Sequence, residues 1–242
     1  MSASAVSAPS GLSVLDRRIL HEAVADRLRD RIVEGALPPG AHLNERVLCE
    51  QLGVSRTPLR EAFRTLAGEG IVALLPNRGA QVAVLSREDV AHAFELMAVL
   101  ESLAGELAAV RATVTQRRTV KARHREMLAA HARRDLPGYY RLNSAIHRDF
   151  VAMARNPMLA ETYGRLNARL QALRFRSNLD ADKWALAMAE HSAMIEALDA
   201  RDSTALAALM RRHLEHKRQT VLAQLDAQAG GPPSMESSDE RP

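Results

Sequence analysis

With 242 residues, 47% of them apolar and 26% charged, the chain holds material for one large core or two small ones, and a soluble globular class is the default. Aromatic residues make up only 3%, a poor supply for stacking bases, sugars or flavins, so the core must be built from Leu, Ala, Val and Met, which favours helices over sheets. The net charge of +4 implies at most a mild preference for anionic partners, the single cysteine excludes an internal disulfide, and no apolar run reaches the ~18 uncharged residues of a membrane span, because residues 90–110 carry Glu95, Glu101 and Glu106.

Residues 1–15 and 227–242 are aperiodic and rich in small and turn-forming residues, and both are predicted to be disordered tails. The first lacks the charged-then-apolar pattern of a secretory signal, which together with the lone Cys49 predicts a cytoplasmic chain. Between the tails lie two regions of different character. Residues 16–85 show short helical patterns, a Pro-Pro-Gly turn and two short apolar runs, whereas residues 86–226 are helical throughout. The expected fold class is therefore mostly α: an N-terminal winged helix-turn-helix, then an all-helical C-terminal bundle of about six helices.

A first helix is predicted over 21–34, where Val24, Leu28 and Ile32 share a face and Gly35 stops it. A second follows the N-cap Asn44 and runs to Gly53. A third follows the N-cap Ser55, with Pro58 in its first turn, where a missing N–H does no harm. Two short helices joined by Leu-Gly-Val-Ser have the spacing of a helix-turn-helix, and Cys49 is the small residue such a crossing needs. In that motif the second helix enters the major groove N-terminal end first, and here that end carries Ser55, Arg56, Thr57 and Arg60. Arg56 and Arg60 share one face, and a guanidinium fork suits guanine O6/N7 or a pair of phosphates; Arg64 continues the row. The apolar runs 71–75 and 80–84 read as a hairpin with Arg78 and Gly79 at its tip, placed for a minor groove, and Arg46 is placed to clamp the backbone. A lone surface arginine is commonly just a solvated charge. Five converging from three elements point to double-stranded DNA, although residues 16–85 as a whole hold ten arginines against nine acidic residues.

The run PPGAHLNERVLCEQLGVSRTPLREAFRTLAGEGIVALLPNRGAQV also resembles the winged helix-turn-helix of the GntR transcriptional regulators, with PPG, LNE, LGVSRTPLREA, LxxEG and RGA in the expected order. The resemblance implies an operator contacted through Arg46, Arg56, Arg60 and the wing at Arg78 and Gly79. One winged helix makes few base contacts, so a homodimer on a palindrome is expected.

The C-terminal pattern breaks at residue 113 and at 135–138, 156–157, 178–182 and 200–203, and three of the six resulting helices carry a histidine on an apolar face. His147 lies with Leu142, Ile146 and Phe150, His191 with Met188, Met194 and Leu198, and His213 with Leu206, Met210 and Leu214. Asn143, four residues before His147, shares its face. A single inward histidine is more often a hydrogen-bonded core residue than a ligand, whereas three on facing helices are also the ordinary way to build an internal metal site; spacing leaves both readings open. His21, His42, His92, His124, His131 and His216 fall on polar or mixed faces and receive no role. The basic stretches 117–125 and 211–218 read as solvated faces.

Residues 86–225 resemble the all-helical FCD effector domain of the FadR branch of the GntR family, through FELMAVLESLAGELAA, LNSAIHRDF, ARNPML, AEHSAMIEALDARD and MRRHLEH. The resemblance implies a divalent metal ion (zinc, nickel or manganese) on Asn143, His147, His191 and His213, and a small organic acid as effector. The chain departs from the pattern twice. Asn143 stands where an aspartate is common, which removes a negative charge, and Met97 where an arginine is common, which removes a carboxylate-binding cation. A metal-dependent hydrolase with a DNA-binding appendage would need a general base beside the ion, and the nearest carboxylates in sequence, Asp149 and Glu190, are turned away from their neighbouring histidines along the helix. The expectation is a regulator, a repressor rather than an enzyme, with a bundle responding to the metal ion alone as the second alternative.

Overall fold

Nine helices and one three-stranded sheet make up residues 14–76, 78–177 and 181–229, the part of the chain described by the computed structural model. They fall into two units that divide between Val84 and Leu85.

The N-terminal unit runs α1 (Val14–Val33), β1 (His42–Leu43), α2 (Glu45–Leu52), α3 (Arg56–Gly68), β2 (Val72–Leu75) and β3 (Gly79–Val82). Helix α1 packs on α3, burying Val24, Ala25, Leu28 and Ile32 together with Leu59, Ala62, Phe63 and Leu66. Arg29 clamps the far end of this contact with two bonds from Nη2 to Glu69, 2.8 and 3.0 Å. The helix begins at Val14 rather than at residue 21. Residues 14–20 hold no Gly or Pro, and a helix already nucleated by the packed turns at 24–32 propagates through such a stretch at little cost. Residues 14–15 of the first predicted tail are thus helical; residues 1–13 lie outside the described part.

The sheet has the order β1-β3-β2, all antiparallel, with Val72 opposite Val82 and His42 opposite Gln81. The hairpin is shorter than predicted, ending at Val82. Strand β1 has no counterpart in the sequence reading, because two residues are too few to show a period. It forms because the free edge of β3 recruits the chain after the Pro-Pro-Gly turn, with Val82 N–H donating to Ala41 O at 2.9 Å and Gly40 N–H to Val82 O at 3.0 Å.

Asn44 caps α2 as expected, its Oδ1 accepting from Val47 N–H at 3.2 Å. Ser55 occupies the N-cap position of α3, yet its side chain makes no capping bond. The reason is local: Pro58 stands at N3, so one N–H that a capping hydroxyl would take is missing. Between the helices Gly53 adopts φ +66°, and its N–H and that of Val54 close onto the carbonyl of the half-buried Cys49. A Cβ at Gly53 would meet no atom, so Gly53→Ala carries backbone strain alone and is expected to lower stability by about 1 kcal/mol in a urea melt. Gly68→Ala, equally uncrowded but at an ordinary φ, should leave stability unchanged or raise it; equal effects at the two sites would refute this account.

The C-terminal unit contains α4 (Arg87–Arg111), α5 (Val114–Ala132), α6 (Leu136–Met153), α7 (Pro157–Arg176), α8 (Ala181–Ala200) and α9 (Ser203–Ala229), the six helices expected. Five of the six helices start at a local cap. Ser86 with Asp89 and Thr113 with Gln116 form capping boxes, Asp135 and Asn156 cap helices that carry a proline in the first turn, and Asp202 accepts from Ala205 N–H. Helix α9 takes in residues 227–229 of the second predicted tail, and residues 230–242 lie outside the described part. Helix α4 lies along α9 and also touches α6, α7 and α8. Gly105 permits the approach, since a Cβ there would sit 2.6 Å from Met210 Sδ and 3.3 Å from Leu206 O. No helix among the described residues is long and apolar enough to cross a membrane.

Candidate functional site

The N-terminal unit presents one candidate surface. Leu59, Ala62, Phe63 and Leu66 turn one side of α3 into the core, which leaves Arg56, Thr57, Arg60 and Arg64 on the exposed side, beside an exposed Ser55. Arg46 is exposed on the first turn of α2, and Arg78 and Gly79 are exposed in the wing; Gly79 opens β3 at φ +79°. Three of the five arginines are paired with carboxylates within the unit. Arg60 Nε donates to both oxygens of Glu45, at 3.0 and 3.1 Å, while Arg46 bonds Glu50 at 2.9 Å and Arg64 pairs with Glu61. The Arg60 arrangement engages Nε, and the terminal NH2 groups of this exposed side chain remain donors for acceptor atoms from outside.

The C-terminal unit brings the three inward histidines together. His147 on α6, His191 on α8 and His213 on α9 are all buried, their ring centroids lie 4.9–5.3 Å apart, and one nitrogen from each comes within 4.8 Å of the others. Around a tetrahedral ion with bonds of 2.0–2.1 Å, donors stand about 3.3 Å apart, so modest rotamer closure would complete the set. His147 Nδ1 meets Glu101 Oε2 at 2.6 Å and His213 Nδ1 meets Glu190 Oε2 at 2.6 Å. The Nε2 atoms of both rings, both nitrogens of His191 and the Oδ1 of the buried Asn143 have no hydrogen-bond partner. Buried polar atoms left without partners are costly unless something satisfies them, and three converging imidazoles, with the amide oxygen of Asn143 one turn before His147 on the same helix, are donor types that zinc, nickel or manganese accepts. The residues present therefore fit a divalent ion.

Electrostatics prepare the same site. Burial pushes His213 down to about 4, the repulsion of His147 adding to it and the Glu190 bond only partly offsetting it. Burial, with His213 and His147 beside it, holds His191 well below the ordinary histidine value. Both rings are thus neutral near pH 7, with a lone pair to offer. Burial works against ionisation of Glu101 and Glu190, but His147 and Arg174 beside the first, and His213 and His216 beside the second, outweigh it and hold both carboxyls below the usual range.

The sequence reading missed these partners. Glu190 is turned away from His191, as its place in the sequence implied, but the same turn delivers it to His213 and, through Oε1, to His216 Nδ1 at 2.6 Å. Glu101 had a legible signal: it shares the buried face of α4 with Met97, Ala104 and Ala108, whereas Glu95 and Glu106 are exposed. Buried Arg174 lies 3.6 Å from Glu101 Oε1 and donates to Asn167 at 2.8 Å. His124 is buried rather than on a polar face, with Nε2 3.3 Å from Ser192 Oγ, and the stretch 211–218 is not wholly solvated, since Lys217 is buried. The recess between α8 and α9, about 30 Å³, is lined by Glu190, His213, His216, Lys217 and Thr220.

Comparison with known proteins agrees with both halves. Residues 20–82 match the model of bacterial regulatory proteins of the gntR family, and residues 92–216 match the FCD domain. The chain is 26% identical over 194 residues to the HTH-type transcriptional repressor RspR of Escherichia coli K12, covering 80% of this chain and 85% of the relative. It is 29% identical over 197 residues to a probable D-xylose utilization operon transcriptional repressor of Paenarthrobacter nicotinovorans, covering 79% and 85%. Among solved structures, E. coli McbR/YncC shares the fold at a TM-score of 0.74 and 23% identity, over 87% of this chain and 98% of that one. With its winged helix-turn-helix followed by an FCD domain, the chain belongs to the GntR family of bacterial transcriptional regulators.

Proposed function

We propose that the protein is a homodimeric repressor that binds a palindromic operator and releases it when a small organic acid binds at a divalent metal in the C-terminal unit. The observation that carries the sensing half is the convergence of unpartnered nitrogens from His147, His191 and His213 in a buried core, with the buried, unpartnered Asn143 one helical turn before His147 on α6. A divalent ion held there offers Lewis-acid coordination positions to a carboxylate. Around it, the residues do the rest: Glu101 and Glu190 hold the imidazole tautomers, and the apolar packing of α4 against α9 excludes water. Helix α4, which supplies Glu101, begins two residues after the unit boundary, so an effector that shifts α4 has a short route to the linker. Exposed Leu96, Val99, Leu103 and Val110 run along one side of α4 and offer a second copy an apolar face. On DNA, Arg56, Thr57 and Arg60 read the major groove, while Ser55, Arg46 and the wing at Arg78 and Gly79 hold the backbone and minor groove.

The test is selection of operator sequences from a random duplex pool, then fluorescence anisotropy at two salt concentrations. Palindromic sites with half-sites about 10 base pairs apart and a steep salt dependence are expected, with a dimer in sedimentation; a pool without enrichment refutes the reading. A thermal-shift screen of small organic acids, with and without chelator, then reads the effector. Stabilisation that requires both acid and metal supports the proposal, and DNA release on metal addition alone replaces it with a metal-responsive regulator.

A further inference from the structure

We infer that Glu101 and Glu190 supply the metal site, one imidazole removed, with the negative charge that Asn143 does not provide. The inference rests on the metal reading above and extends it to two residues from different helices. Four neutral donors, three imidazoles and an amide oxygen, leave the charge of a divalent ion uncompensated in a buried core. Two carboxylates stand directly behind two of those donors. Glu101 on α4 takes His147 Nδ1–H and Glu190 on α8 takes His213 Nδ1–H, each at 2.6 Å, and both carboxylates are buried, at 0% and 6% exposure.

Burying a carboxylate is costly unless it is paired, and each of these is paired with an imidazole at 2.6 Å. Donation of Nδ1–H fixes each ring with Nε2 as its lone-pair nitrogen, and the carboxylate raises the basicity of that nitrogen. The two Nε2 atoms are the ones left without partners. The outer sides of the carboxylates differ. Glu101 Oε1 faces the buried Arg174 at 3.6 Å, which draws off part of its charge, whereas Glu190 Oε1 bonds the half-exposed His216 beside the small recess. His191, both of whose nitrogens lack a partner, is the one histidine of the three without such support.

The experiment measures zinc and nickel affinity of the full-length protein by competition with a chromophoric chelator, with metal content by elemental analysis. Glu190→Gln and Glu101→Gln are each expected to weaken binding about 10- to 100-fold. Asn143→Asp is expected to tighten it, and the double variant Asn143→Asp/Glu190→Gln to return close to the parent, because the charge is restored at a ligand position. Should Glu101→Gln fail to fold beside Arg174, the Glu190 and Asn143 variants still decide the question. Unchanged metal affinity in Glu190→Gln overturns the inference, as does a lowered melting point of the metal-free variants without loss of metal, which would mark a purely structural role. A parent protein that takes up neither zinc nor nickel overturns both this inference and the metal reading, so the two failures are distinct.

Discussion

Replacing His191 by alanine is expected to empty the metal site while leaving the fold intact, the largest single effect predicted for this protein. The three histidines are not equivalent. Removing His147 or His213 takes from a buried carboxylate, Glu101 or Glu190, its partner at 2.6 Å, and a loss of stability would then confuse the result. His191 has no partner at either nitrogen, so its truncation removes a ligand and orphans nothing. A four-donor site worth roughly 10–16 kcal/mol loses about a quarter of that with one ligand, a drop of at least about a hundredfold in affinity. At zinc concentrations about a thousandfold above the parent's Kd, the parent gains about 4 kcal/mol of stability by linkage and His191→Ala most of it no longer. Thermal melts with and without zinc read the loss of linkage, and elemental analysis after equilibration at zinc only about tenfold above the parent's Kd reads the loss of metal, since a hundredfold weaker site is then about nine-tenths empty; full metal content in the variant under that condition would sink the assignment. The metal-stripped parent should also be acid-sensitive. Between pH 6.5, the ordinary histidine value, and about 4, the unfolded chain binds a proton at residue 213 that the folded chain does not. Stability therefore rises with pH across that window and falls on acidification, by about 3 kcal/mol for His213, with His191 acting in the same direction.

Operator affinity should fall about 10- to 100-fold on Arg60→Ala and by a similar factor on Arg56→Ala, measured by anisotropy at fixed salt. Both side chains project from the exposed side of α3. Their roles separate by salt. A phosphate contact lowers the slope of log affinity against log salt by about one when removed, while a base contact leaves the slope and relaxes specificity at one position. Arg60 is the better candidate for base reading, because Glu45 grips its Nε from α2 and holds the fork in one orientation. Glu45→Gln should then weaken specific binding more than binding to random duplex, although it removes a negative charge from the DNA side. Arg60→Ala with parental affinity and specificity would remove this residue from the interface.

The local features of this chain were legible in its residues. Asn44, Asp135 and Asn156 cap helices at the positions their side chains imply, and the 3.6-residue period placed the inward histidines on three helices, because caps and amphipathic faces are encoded within about ten residues. Ser55 shows the limit even at that range, where a proline three residues further on removed the donor it would have capped. Strand β1 shows another, since two residues pair only because a distant edge is free. What the linear order does not carry is distance between side chains on separate helices. His147 and Glu101 lie 46 residues apart, and His213 and Glu190 lie 23 apart, yet each pair meets at 2.6 Å. Nothing local specifies those meetings; they follow from how α4, α6, α8 and α9 pack, which is set by the summed burial of many apolar side chains and by a glycine at residue 105 that lets α4 and α9 approach. The residue types thus named a family, a candidate DNA-reading face and three candidate donors, while packing assigned each buried carboxylate its histidine.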